Sequence, residues 1–130
     1  MDEPKATILL VEDELPFRLI YRDALSMYGY HVVEAENGEE ALKLIETSAP
    51  DLVLLDLVLP KVSGFNVLTS LKGSEKTKHI PVIVYSVLND KTSIDRAMEL
   101  GADDFTIKGS TPAADVLEKV RKFLGNAQAA

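Results

Sequence analysis

Three carboxylates, one hydroxyl and one ammonium group close short apolar runs in this chain, and these are the groups with the means to do chemistry. Ile8-Leu9-Leu10-Val11 ends at Glu12-Asp13, Leu52-Val53-Leu54-Leu55 at Asp56, Val82-Ile83-Val84-Tyr85 at Ser86, and Phe105-Thr106-Ile107 at Lys108. Carboxylates held close together repel one another, so such a set asks for a cation. Oxygen ligands with no His or Cys beside them point to Mg2+, which takes one or two carboxylates and keeps several waters. Mn2+ suits the same donors. Lys108 and Ser86 would complement an anion bound beside that metal. Taken singly, Asp56 reads equally well as a turn cap, and a lone lysine such as Lys108 is more often a solvated surface charge. Their placement at the ends of four separate runs carries the weight. His31 and His79 lie away from these ends and are expected to have surface or structural roles.

For the five groups to meet, the runs must be neighbouring parallel strands. With Tyr30-His31-Val32-Val33 there are five such runs, each too short for a helix and rich in β-branched or large apolar residues. Apolar residues at successive positions indicate cover on both faces, the habit of a central parallel sheet. Between the runs lie helical periods. Phe17, Ile20, Tyr21, Ala24, Leu25 and Tyr28 form one stripe, ended near Gly29. Asn37 reads as an N-cap with Glu40 three residues on, opening a helix through Ala41, Leu44 and Ile45. Ser63 caps a third through Phe65, Val67, Leu68 and Leu71, and Ile94, Ala97 and Met98 mark a fourth, closed by Gly101. Thr111 is read as the N-cap of the last, with Pro112 in its first turn and Ala113, Val116, Leu117, Val120 and Leu124 facing inward. Strand and helix alternating five times imply an α/β fold with helices on both faces of a parallel sheet. All strand carboxyl ends then share one edge, where such folds place their sites. The stretch 73–78 reads as a solvated loop.

Composition sets the bounds. The 130 residues, 46% of them hydrophobic, suit one domain over 1–130, with a core at 6–124 and a short frayed tail at 125–130. No cysteine is present, so there is no thiolate nucleophile, disulfide or cysteine zinc site. A net charge of −7 argues against direct binding to nucleic acid, whose phosphates need a basic face. No apolar run reaches the ~18 residues of a membrane span. Met1-Asp2-Glu3-Pro4-Lys5 is unlike a signal peptide, so a cytoplasmic location without membrane contact is expected.

Over 6–124 the chain resembles the receiver domain of two-component response regulators. The resemblance is carried by Ile8-Leu9-Leu10-Val11-Glu12-Asp13-Glu14, by Asp51-Leu52-Val53-Leu54-Leu55-Asp56-Leu57-Val58-Leu59-Pro60 with Gly64 following, by Pro81-Val82-Ile83-Val84-Tyr85-Ser86, and by Gly101-Ala102-Asp103-Asp104-Phe105-Thr106-Ile107-Lys108. It implies a flavodoxin-like (βα)5 three-layer sandwich with strand order 2-1-3-4-5. It implies Asp56 as phosphoacceptor, served by a sensor histidine kinase, a histidine phosphotransfer protein or a small phosphodonor. Asp13, Asp56 and the backbone carbonyl of Val58 would hold Mg2+, with Glu12 acting through water. Lys108 would neutralise one phosphoryl oxygen and Ser86 would bond another, letting Phe105 turn inward. The surface of the fourth helix, fifth strand and fifth helix would then change its affinity for an output partner or output domain, neither of which the sequence identifies. Homodimerisation on phosphorylation stays open. Such a domain is a signalling element, not an enzyme, though it assists its own phosphorylation and dephosphorylation.

Where the chain departs from the family pattern, further expectations follow. Val87 stands at a position usually held by a small residue and is expected to narrow access to Asp56 or slow the loop's inward motion. Gly109 replaces a common proline, so the Lys108–Gly109 peptide is expected to be trans, a cis bond without proline costing about 2.5–4 kcal/mol. Val58 and Leu88, which in the family tune dephosphorylation, are apolar and cannot hold an attacking water. A long-lived phosphoryl group follows, which minute-scale decay in Mg2+ would contradict. Phe105 reads equally as a plain strand aromatic, and Asp103 and Asp104 as solvated. The main rival is a phosphorylation-independent interaction module of the same fold. An FMN carrier would need a Gly- and hydroxyl-rich phosphate loop where Glu12-Asp13-Glu14 stands, and an aspartyl phosphohydrolase a second Asp where Val58 stands.

Overall fold

Runs that are apolar at every position become the inner strands of the sheet. The computed structural model describes residues 6–109 and 111–125. Its strands are β1 (Thr7–Val11), β2 (His31–Ala35), β3 (Leu52–Leu55), β4 (Val82–Ser86) and β5 (Asp104–Ile107). They alternate with α1 (Leu15–Met27), α2 (Gly38–Ser48), α3 (Gly64–Lys72), α4 (Lys91–Glu99) and α5 (Ala113–Leu124). All pairings are parallel, in the order β2-β1-β3-β4-β5 that the family resemblance implied. Register places Leu9 opposite Val33 and Val53, Val53 opposite Val82, and Val84 opposite Phe105.

Strand alternation divides the apolar runs between two cores. Leu9, Val11, Val53, Leu55, Val82 and Val84 pack with Ala41, Ile45, Val67, Leu68, Leu71 and Ala97 from α2, α3 and α4. Ile8, Leu10, Leu52, Leu54, Ile83 and Tyr85 pack with Tyr21 and Leu25 of α1 and Val116, Leu117 and Val120 of α5. The edge strands β2 and β5 are only partly covered. Among the described residues, no helix is long and apolar enough to cross a membrane.

Local signals set most helix starts. Asn37 Oδ1 accepts from Glu40 N at 2.8 Å, and Glu40 Oε1 accepts at 2.7 Å from Glu36 N, the amide just before the cap. Ser63 accepts from Asn66 N. Asp90, not singled out from the sequence, caps α4 through Ser93 N. Thr111 is not a cap: Pro112 itself holds the N-cap position with φ −60° and ψ 149°, and no side chain caps α5. Proline's fixed φ suits an extended residue as well as a helical one, so α5 starts one residue later.

Three further expectations need correction. In the α1 stripe, Ile20 and Tyr28 are exposed, and so is Met98 of α4, while Arg18 takes an inward place on α1. Arg18 earns that burial by bonding Glu34 and the Glu12 carbonyl, which a hydrophobic count cannot detect. Asp103 and Asp104 are not simply solvated: Asp103 accepts from Lys72 Nζ and Val82 N, and Asp104 pairs with Lys119. The stretch 73–78 is largely exposed as expected. The expected frayed tail beyond Gly125 falls outside the described residues.

Candidate functional site

Parallel strands deliver Glu12, Asp56, Ser86 and Lys108 to one edge because each lies at or just beyond a strand's carboxyl end. Backbone bonds extend the ladder to them: Glu12 N donates to Ala35 O at 3.0 Å, Asp56 N to Val11 O at 3.1 Å, and Lys108 N to Ser86 O at 2.8 Å. Gly64 lets α3 begin against this edge. A Cβ there would meet Asp56 O at 2.2 Å and Leu57 Cα at 2.5 Å, so only glycine fits.

At the centre stands the Lys108 ammonium, its side chain only 2% exposed. It donates to Glu12 Oε2 at 2.9 Å, Glu14 Oε1 at 2.7 Å and Asp56 Oδ2 at 2.9 Å. Its charge also faces the Phe17 ring at 4.6 Å, a favourable cation–π placement. Glu12 is fully buried and saturated. Tyr85 Oη donates to its Oε1 at 2.5 Å and Glu14 N to its Oε2 at 2.9 Å. Asp56 is buried too, and its Oδ1 accepts from Val58 N at 3.1 Å, so one carboxylate both caps the turn after β3 and bonds Lys108.

Burial pushes the Asp56 carboxyl up to about 6, against the opposing pull of hydrogen bonds from Lys108 and Val58 N. Burial works the other way on Lys108, but the bonds to Glu14, Glu12 and Asp56 outweigh it and hold the ammonium above the ordinary lysine range. Tyr85 is pushed far up by burial and by the adjacent Glu12, so it stays a donor.

Glu12, Asp13 and Asp56 each offer a carboxylate oxygen within 4.8 Å of the others. Asp13 is exposed and is not among the partners of Lys108. The ammonium bonded to Glu12 and Asp56 stands where these carboxylates need a positive charge, and an all-oxygen donor set of this kind fits Mg2+. Ser86 is buried, its Oγ accepting from Leu88 N at 3.3 Å. Val58 and Val87 are half-exposed, while Leu88 and Phe105 pack partly buried against the core shared with α2, α3 and α4. The Lys108–Gly109 peptide is trans. A cleft of about 480 Å3 lies at the opposite edge, lined by residues such as Ile45, Pro50, Asp51, Lys76 and His79, and none of the site residues borders it.

Sequence reasoning missed the parts played by Glu14, Tyr85 and Phe17. Tyr85 was legible in principle, since a tyrosine in an otherwise apolar strand needs a partner for its hydroxyl. Glu14 was not: three acidic residues in a row do not say which one turns inward.

Comparison with known proteins places this geometry in context. A family model described as the response regulator receiver domain matches residues 8–121. The probable transcriptional regulator ycf27 of Cyanophora paradoxa is 41% identical over 124 residues, covering 95% of this chain and 50% of that protein. The phosphate regulon transcriptional regulatory protein PhoB of Pseudomonas aeruginosa is 41% identical over 106 residues, covering 82% of this chain and 46% of that protein. The chain thus spans about half the length of these curated relatives. Among solved structures, the signal receiver domain of a histidine kinase from Syntrophus aciditrophicus is 30% identical with a TM-score of 0.86, covering 96% of this chain and 94% of that one. The BeF3-activated receiver domain of Klebsiella pneumoniae RstA is 29% identical with a TM-score of 0.84, covering 92% and 98%.

Proposed function

The chain belongs to the response regulator receiver domains, and on that premise we propose that Asp56 accepts a phosphoryl group from the phosphohistidine of a sensor kinase or phosphotransfer protein. One observation carries this reading: a buried carboxylate on one strand end is hydrogen-bonded to a buried ammonium from another, with two further carboxylates within 4.8 Å. In the transfer, an Asp56 oxygen attacks phosphorus and the P–N bond to the donor imidazole breaks. The electron pair leaves with the imidazole nitrogen, and the product is an acyl phosphate on Asp56. The catalytic contribution is positioning and charge neutralisation.

Asp13, Asp56 and the Val58 carbonyl would hold Mg2+, with Glu12 acting through water. When bound, the metal neutralises charge on the transferring phosphoryl oxygens. Lys108 supplies a second positive charge on a rigid strand end, and the Ser86 hydroxyl can turn to a phosphoryl oxygen. The phosphorylated form would favour one of two arrangements of the Ser86 loop and Phe105, altering the surface of α4, β5 and α5. An output partner, or an output domain of the sort that relatives named as transcriptional regulators suggest, would read that surface.

Acetyl phosphate with Mg2+, followed by intact mass, tests the reading. The expected result is one phosphoryl group added to the natural chain and none to Asp56→Asn. Equal labelling of both would overturn it.

A further inference from the structure

Lys108 is the cation that phosphoryl transfer needs, yet each of its donors is already taken. An ammonium has three N–H groups, and here they go to Glu12, Glu14 and Asp56. A phosphoryl oxygen can gain one only if a present partner lets go. Burial decides which. The Glu12 side chain is 0% exposed and the Asp56 side chain 3%, whereas that of Glu14 is 55% exposed. Releasing Glu12 would leave a fully buried carboxylate without the ammonium's charge, held only by the Tyr85 hydroxyl and the Glu14 amide, and Asp56 is the acceptor itself. Glu14 can swing into water and be solvated there.

A second observation points the same way. Glu14 occupies the N-cap of α1, with φ −87° and ψ 115°, where the shorter carboxylate of an aspartate would accept from the first helical amides. It makes no such bond. Its carboxylate instead reaches the residue that follows β5. Its backbone N–H is pinned to Glu12 Oε2 and its carbonyl to Arg18 N, so the side chain can leave while the loop stays in place.

We propose that Glu14 is a positioning residue that holds one Lys108 donor in the resting protein and competes with the incoming phosphoryl group for it. The inference rests on the phosphoacceptor reading of Asp56. It makes Glu14 a brake. Removing its charge frees a donor and lessens repulsion of the anion. A half-exposed ion pair is a modest competitor, so the gain in affinity for an anionic phosphoryl mimic should be about two- to fivefold.

The test is a beryllofluoride titration of the whole chain at saturating Mg2+, comparing the natural protein with Glu14→Gln and Glu14→Ala. Saturating metal removes any loss of Mg2+ attraction caused by the missing charge. Gln keeps an acceptor oxygen and Ala has none, so affinity should rise from Glu to Gln to Ala. Unchanged or weaker binding in both variants overturns the proposal, and weaker binding would make Glu14 a productive support of Lys108 instead. If the natural protein binds no beryllofluoride, the phosphoacceptor reading falls and this inference with it. Equal binding by all three overturns the inference alone. A second readout needs no ligand: the ammonium NMR signal of Lys108 in metal-free protein should exchange faster with water in Glu14→Ala, and an unchanged rate would show that Glu14 does not occupy a donor.

Discussion

Two lysines, Lys72 partly buried and Lys108 buried, stand one at each edge of the sheet and spend their charge in opposite ways. At the amino edge, Lys72 Nζ donates to Ile80 O at 2.8 Å, Lys78 O at 3.2 Å and Asp103 Oδ2 at 3.0 Å. Two of its three partners are backbone carbonyls, and Asp103 is itself tied to Val82 N at 2.8 Å. Gly101, at φ +108°, lies so close that a Cβ would meet Lys72 Cγ at 2.8 Å. At the carboxyl edge, Lys108 bonds three carboxylates and no backbone group. A lysine bonded to carbonyls stitches loops, because those acceptors cannot leave without unfolding the segment. A lysine bonded to carboxylates neutralises charge, and another cation or anion can rearrange that set without breaking the backbone. The same residue type is a fastening in one place and an exchangeable part in the other.

That contrast can be broken by experiment. The largest effect is expected for Lys108→Met, which leaves Glu12 and Asp56 buried without their cation and should destabilise the metal-free protein by about 3–5 kcal/mol. Urea unfolding with and without Mg2+ measures it. Mg2+ should raise the midpoint of Lys108→Met by more than that of the natural protein, since the metal replaces the lost charge. Equal gains would mean that the ammonium does not occupy the cation's role. Lys72→Met comes next, at about 1–3 kcal/mol for orphaned acceptors. Its loss should be indifferent to Mg2+, and acetyl phosphate should label the folded variant to the same extent as the natural chain. A fall in labelling would join the two edges functionally and end the division drawn between them. The smallest effect belongs to Lys119→Ala, which breaks a partly exposed pair with Asp104 at 3.2 Å. It should change stability by under about 1 kcal/mol and leave labelling unaltered. A larger effect there would show that the outer face of β5 also carries charge that matters.

Much of the architecture was legible in residue order. Five apolar runs alternating with helical periods are enough to require a parallel sheet, and Asn37 and Ser63 announce their helices through a bond each side chain makes within three residues. Misreadings arose where the deciding partner was remote. Arg18 sits at an inward position because Glu34, on another element, waits for it. Asp103 is bound because Lys72 lies 31 residues earlier. Thr111 failed as a cap for a local reason, since Pro112 fits the extended position next to the helix as readily as the first helical one.

The candidate site divides along the same line. Residue type and run ends alone single out Glu12, Asp13, Asp56, Ser86 and Lys108, because a parallel sheet carries every strand's final polar residue to one edge. Their relations belong to the tertiary structure. Burial lifts the Asp56 carboxyl to about 6, Tyr85 gives its hydroxyl to Glu12 across 73 residues, and Glu14 reaches Lys108 across 94. Sequence order determines which groups arrive at the edge, since strand direction is a local property. Which of them touch, which are cut off from water and which can still let go depends on packing between elements far apart in the chain, and only the folded molecule decides it.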